Sequence, residues 1–263
     1  MSEREQEADM VETMTRREFA EKAIGSLAIL ALMDTLFGRD FLFASPIRPL
    51  ATKWLAELDQ LGRDCKSQKL KQVEWQKKVE ELFSKVDLPE FLKYIDFESL
   101  AKKGAEYNGP GARSLSVNFP QVEGVPTKLV FGRQVFAMKK GRSIVPHGHN
   151  NMATCFLVLQ GQCHGRHYER IEDQAKHMVI RPTIDREFAP GGTSSISDYK
   201  DNVHWFKALT DSAFVFNIHV MGINPNLKEP TGRVYVDPNG EKLEGGTIRA
   251  RLIEHDEADK LYG

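Results

Sequence analysis

From Leu129 onward the chain is written in short segments rich in β-branched and aromatic residues: LVFGRQVFAM, TCFLVLQG, GRHYERI, HMVIRP, SSISDY, VHWFKAL and AFVFNIHV. Glycines, prolines and charged turns separate them at the spacing of an all-β barrel or sandwich. Residues 126 to 224 are therefore expected to form a double-stranded β-helix. Inside that run, Gly141 to Arg170 places His147 and His149 two apart, directly after Pro146. On a strand, residues i and i+2 share a face. Two imidazoles at that spacing reach one metal ion with little adjustment. His204, in the strand-like DNVHW, is the third candidate. Neutral imidazole nitrogens suit zinc, copper, iron and nickel.

The rest of the chain divides around this block. Residues 45–107 read as a helical extension. Leu70, Val73, Val79, Leu82, Phe83 and Val86 form a one-sided apolar stripe at helical spacing between Lys69 and Val86. Pro89 reads as a first-turn proline and Gly104 as the stop of a following helix. Asn108-Gly109-Pro110-Gly111 breaks the pattern, and residues 108–225 are assigned to the barrel. Residues 226–263 are expected to form a hairpin pair around Pro238-Asn239-Gly240 and a short helix over Glu257 to Leu261. The expected class is mainly β, with a helical layer in front.

Composition narrows the function. Lys+Arg number 36 against 37 Asp+Glu, a formal net charge of -1, so no general attraction to nucleic acid is expected. No apolar run has the length of a stable membrane span. Cys65, Cys155 and Cys163 lack metal-site or redox spacing, and an odd, scattered set is not a disulfide framework.

Thr15-Arg16-Arg17-Glu18-Phe19 precedes a mildly apolar run from Ala23 to Met33. The pair resembles a twin-arginine export signal, with an h-region too short to span a bilayer. The leader departs from that pattern in its acidic residues, Glu3 to Glu12, and in lacking a clean A-x-A site; Leu42-Phe43-Ala44 is the best candidate for cleavage. The resemblance implies residues 1–44 as a signal region, an encounter with the twin-arginine export machinery, and a periplasmic or exported protein. Its cargo folds, and often loads a cofactor, before export. Without the signal function, the same segment is an amphipathic helix of a cytoplasmic protein.

Gly141, His147, His149 and Gly161 fall at the spacing of the first signature of the cupin superfamily. The family's glutamate ligand position holds Thr154. The second signature, around His204, has Tyr199, Asp201 and Ala208 in place of its Pro, Gly and Asn. Loss of the carboxylate is typical of the thiol dioxygenases, cupins that hold ferrous iron with three histidines. Asn202, His204, Phe206, Ala208, Thr210 and Ala213 are similar to the cysteamine and plant cysteine oxidase group, whereas Phe216 stands where that group carries an acidic residue. A crosslinking cysteine of some animal cysteine dioxygenases would fall at Thr154, so no crosslink is expected there.

The resemblance implies a cupin, jelly-roll barrel, Fe(II) or another divalent transition metal held by His147, His149 and His204, and a small substrate, a thiol among the candidates, oxidised by O₂. His219 is the reserve third or fourth ligand. His164 and His167 lie on opposite faces of one strand, and one of them is expected to point inward. His167 and Tyr168 are the candidate catalytic residues, Tyr168 as an O–H donor; a barrel-wall aromatic is the alternative for Tyr168. Arg133 or Arg142 is a candidate for pairing with a substrate carboxylate. Trp205 is expected on the face opposite His204, packed under the helices. Asn150 and Asn151 either orient the ligands or make a turn. His177 and His255 read as surface residues. Two other readings stay open: a different cupin enzyme, dioxygenase or isomerase, using another metal, and a non-catalytic periplasmic metal or small-ligand binding protein. A homodimer is also consistent with the family.

Overall fold

The computed structural model describes residues 50–121 and 125–263. The arginine pair, the apolar run behind it and the cleavage candidate lie outside the described residues.

A π-helical turn, Leu50–Leu55, leads into α1 (Ala56–Lys66), followed by α2 (Gln72–Ser84), α3 (Leu88–Tyr94) and α4 (Phe97–Ala105). The apolar stripe read from Lys69 becomes helical only at Gln72. Asp87 starts α3 by accepting the Glu90 N–H at 3.1 Å, with Pro89 in the first turn, where its missing N–H costs nothing. Gly104 lies inside the last turn of α4 rather than after it. Trp54, Leu58, Trp75, Val79, Phe83 and Phe91 make these helices one-sided, and all are buried.

Eleven strands follow: β1 (Arg113–Ser116), β2 (Gly132–Lys139), β3 (Ser143–Asn150), β4 (Met152–Gln160), β5 (Cys163–Asp173), β6 (His177–Phe188), β7 (Thr193–Ile196), β8 (Val203–Ala208), β9 (Ser212–Met221), β10 (Gly232–Lys242) and β11 (Ile248–Ile253). The helix α5 (His255–Tyr262) ends the chain. One sheet has the order β1-β2-β9-β4-β7, and the other six strands close on themselves as β10-β11-β6-β5-β8-β3. The expected mainly β barrel with a helical layer is the observed architecture.

Period-2 alternation explains the layering. On β4 and β9, Ala153, Cys155, Leu157, Phe216, Ile218 and Val220 pack with the helices, while Phe156, Val158, Ala213 and Val215 pack toward the six-stranded ring. Both faces are covered, so these strands read as nearly continuous apolar runs. All three cysteines are buried and free. Burial pushes the Cys163 thiol up to about 12, so it packs as a small hydrophobe instead of reacting.

The C-terminal expectation needs two corrections. Pro238-Asn239-Gly240 is not a turn: β10 runs through it with a bulge between Asp237 and Glu241, and the reversal comes at Leu243 to Thr247, where the Leu243 N–H donates to the Thr247 carbonyl. A bulge admits proline inside a strand. The barrel also extends past the expected bounds of residues 108–225. β10 pairs with β3 and β11 with β6, closing the ring. Trp205 does lie on the face away from His204, but it packs on Tyr262 of α5 at 5.0 Å, with Arg166 over its ring, and not under the helical layer.

Candidate metal centre

Pro146 decides where the histidines point. The β3–β8 pairing is in one register at Ile144↔Phe206 and shifted by one residue at His147↔His204, so a bulge lies between. One extra residue reverses the in–out parity of everything beyond it. Ile144 and His147 therefore share the inner face, although three residues separate them. Proline suits a bulge because no ladder hydrogen bond needs its N–H. Val145 consequently faces outward, packing with Ile253 and Ala258.

Register then assembles a row across four strands. Tyr235 lies opposite His147, His147 opposite His204, and His204 opposite His167. Arg233 is opposite His149. The ring centroids of His147 and His204 are 4.2 Å apart, those of His147 and His149 5.0 Å, and those of His149 and His204 5.1 Å. One nitrogen from each of the three falls within 4.8 Å of the others. The three histidines expected from the sequence are thus together in space.

The donor set fits a metal. His147 Nδ1 lies 2.7 Å from the Val145 carbonyl; donation of its N–H there leaves the Nε2 lone pair free. His149 Nδ1 has Thr154 Oγ1 at 3.5 Å, and its Nε2 is buried without a partner, as is His204 Nδ1. An orphaned buried nitrogen calls for an ion or water. Burial, reinforced by the Arg233 charge, holds His147 down to about 3. Burial and the neighbouring His147 hold His149 and His204 well below the usual imidazole range. All three are neutral at physiological pH, the form that binds metal.

These rings open on a cavity of about 490 Å³. Its facing wall is the inner surface of the five-stranded sheet, where Gln134, Asn217 and His219 project. Phe136, Phe156, Met152 and Met221 supply the apolar lining, and Arg233 and Tyr235 the polar rim. None of the described lining residues is acidic. Among the described residues Arg233 makes no ion pair.

The other candidate residues are placed as follows. His219, the reserve ligand, lines the cavity from the facing wall but lies outside the three-nitrogen cluster. Its Nδ1 is 3.4 Å from Asn217 Oδ1, and its ring lies over Gly132, where a Cβ would come within 2.1 Å of Nε2. Of His164 and His167, His167 points inward and is fully buried, whereas His164 pairs with Asp185 outside. His167 sits beyond His204, ring centroids 6.2 Å apart, with Ser194 Oγ 3.4 Å from its Nε2. It does not line the cavity. Tyr168 belongs to the opposite face, packed with Met178, Ile180, Val203, Val236 and Ala250. The expected O–H donor is therefore not Tyr168; a bulge between His167 and Tyr168 in the β5–β6 pairing does not change its face relative to β8. Thr154, at the glutamate position, lines the cavity beside His149.

Arg133 stacks over Phe119 at 5.0 Å on the helical side, and Arg142 reaches the carbonyl of Gly263 at 3.5 Å. Neither lines the cavity; the arginine that does is Arg233. Asn151 makes the β3–β4 turn with φ 58°, and Asn150 accepts from Arg170 at 2.6 Å. His255 is half exposed but meets Tyr235 edge to face, ring centroids 5.0 Å apart. Sequence reasoning missed Arg233, Tyr235 and Asn217, and named Asn202 only as a motif position. The signal for the first pair was their alternation on a strand that pairs with β3, invisible before the ring is closed.

No protein-family profile and no curated protein matches this chain. Among solved structures it is similar to the 11S globulin from Wrightia tinctoria (14% identity, TM-score 0.34, 49% of this chain and 28% of that one). It is also similar to a cupin superfamily protein from Desulfitobacterium hafniense (14%, 0.29, 44% and 83%) and to a recombinant oxalate oxidase in complex with glycolate (16%, 0.33, 50% and 57%). The chain spans under a third of the globulin's length.

Proposed function

We propose that this chain is a metal-dependent oxidoreductase of the cupin type that uses Fe(II) and O₂ to oxidise the sulfur of a small anionic thiol. The observation that carries the reading is the convergence of His147, His149 and His204 on a cavity whose described lining has no carboxylate. His147, His149 and His204 would hold the ion, which when bound would supply open coordination positions and redox chemistry. The net reaction is RS⁻ + O₂ → RSO₂⁻. Two S–O bonds form, the O–O bond breaks, and four electrons pass from sulfur to oxygen.

The chain's own groups support that substrate class. Three neutral ligands leave the ion's charge uncompensated, which favours an anion in the cavity. Arg233 is free to hold a carboxylate bidentately. Tyr235 presents its hydroxyl-bearing ring to the same space, 5.7 Å from His147 between ring centroids. Phe136, Phe156, Met152 and Met221 exclude water around the reacting sulfur. Thr154 in place of a carboxylate ligand favours this reading over other cupin oxygenases and isomerases.

The test is metal analysis of protein isolated from the cytoplasm, followed by oxygen uptake with small thiols. Stoichiometric iron and thiol-dependent O₂ consumption yielding a sulfinate are expected. Protein without any first-row metal would sink the reading. Metal without O₂ uptake for any thiol points to a binding protein.

Export by the twin-arginine route belongs to the same proposal, supported by Arg16-Arg17 and the apolar run to Met33. Replacing both arginines by lysine should trap the protein in the cytoplasm; undiminished periplasmic recovery would refute it.

A further inference from the structure

We infer that Asn202 is a positioning residue for the metal centre and that helix α2 sets the geometry of the histidines through it. The inference rests on the metal-site reading above. Asn202 is buried, two residues before His204, and its side-chain amide behaves as a strand neighbour of His149. Its Oδ1 accepts the His149 N–H at 3.2 Å, and its Nδ2 donates to the His149 carbonyl at 2.9 Å. One side chain thus ties the backbone of a ligand on β3 to the strand that carries another ligand, on β8.

Asn202 is held in turn from outside the barrel. Its Nδ2 also donates to the Ser197 carbonyl at 3.0 Å. Ser197 Oγ donates to Gln76 Oε1 at 2.7 Å and accepts the N–H groups of Tyr199 and Lys200 at 3.2 Å each. Gln76 is the middle rung of a polar ladder on α2. Gln72, Gln76 and Glu80 recur every four residues and so share one helix face. Gln72 clasps Asp198, donating to Oδ2 at 2.8 Å and accepting its N–H at 2.9 Å. Glu80 accepts from Ser195 Oγ at 2.5 Å. Asp198 also accepts the N–H of Met152 at 3.2 Å, where β4 begins. An apolar helix face alone allows sliding over a sheet. A ladder of buried and half-buried, mutually satisfied polar groups specifies one docking position.

The residue between the paired histidines carries an independent mark of the same arrangement. A Cβ on Gly148 would stand 2.6 Å from Asn202 Oδ1 and 3.1 Å from Val203 Cγ2. The central residue of His-Gly-His is therefore small because the Asn202 amide lies against it. Metal sites tolerate about 0.2 Å in ligand distance, so a clamp on the ligand backbone acts on affinity as well as on fold.

The test uses Co(II) as the probe, with the metal-depleted full chain. Affinity is read by titration, geometry by the visible d–d bands, and fold by the melting temperature of the apoprotein. Asn202→Ala is expected to weaken Co(II) binding about 10–100-fold and to alter the band envelope. Gln76→Leu, which leaves both strands untouched, should shift the bands in the same direction with a smaller loss of affinity. Wild-type affinity and bands in Asn202→Ala, with only a lower melting temperature, would mean a purely structural role and overturn the inference. If Asn202→Ala fails to fold, Gln76→Leu decides by the same criterion. Failure of the wild-type chain to bind Co(II) at all would instead remove the metal reading, and this inference with it.

Discussion

His147, His149 and His204 differ from the other five histidines in bringing one ring nitrogen each within 4.8 Å of the others. His147→Ala or His204→Ala should each abolish stoichiometric metal retention, measured by elemental analysis after desalting. His219→Ala should retain the metal, because its ring stands on the facing wall outside the donor cluster; loss of metal in that variant would restore it as a ligand. Arg233→Gln should raise KM for a carboxylate-bearing thiol about 10–100-fold with kcat little changed, the cost of losing one charge-assisted pair. An equal effect on a thiol lacking the carboxylate would refute the anchor. His167 makes a separate pH prediction. Burial lowers its pKa to about 3, against about 6.5 in the unfolded chain. Its contribution is therefore fully present above pH 6.5 and is lost as pH falls toward 3. Between pH 6.5 and 5 the loss is about 2 kcal/mol for one such imidazole. Urea unfolding of His167→Leu should show a shallower decline over that interval than the wild type.

At the scale of elements, the bulge at Pro146 and the aromatic contacts of β9 matter most. The His-x-His spacing was legible because strand periodicity is local. The inward direction of the pair was not, since it depends on a register shift against β8. Phe216 shows the same limit. Its position, an acidic one in the family it resembles, belongs to the helical side here, where Phe216 packs on Phe91 at 5.0 Å and on Phe83 at 6.1 Å. Phe216→Ala should cost about 3–5 kcal/mol of stability, read by denaturant unfolding, while Co(II) affinity of the folded fraction changes little. A normal stability would mean that the helical layer is not anchored through this ring. Tyr168 illustrates the parity problem from the other direction: alternation separates it from His167, but only pairing with β8 decided which of the two shares the face of His204.

At the scale of the molecule, ring closure makes the C-terminal strands part of the site. β10 brings Arg233 and Tyr235 to the cavity, and β11 joins β10 to β6. Deleting residues 230–263 opens the ring and exposes Val203, Ile180 and Met178, whose partners Val236 and Ala250 are removed. The truncated chain is expected to be insoluble or unfolded by circular dichroism. A cooperative melt close to that of the full chain would contradict the closed ring as a stability unit.

The amino-acid sequence alone determined the β-rich barrel, the helical layer and the three histidines. Each follows from periodicity or spacing within a few residues. Tertiary structure alone decided that Arg233 and not Arg133 or Arg142 lines the cavity, that Tyr235 and not Tyr168 does so, that Trp205 packs on Tyr262, and that Asn202 joins the strands of His149 and His204. Those assignments depend on which strands become neighbours and in what register. Strand pairing links residues more than fifty positions apart, and no local pattern encodes the partner.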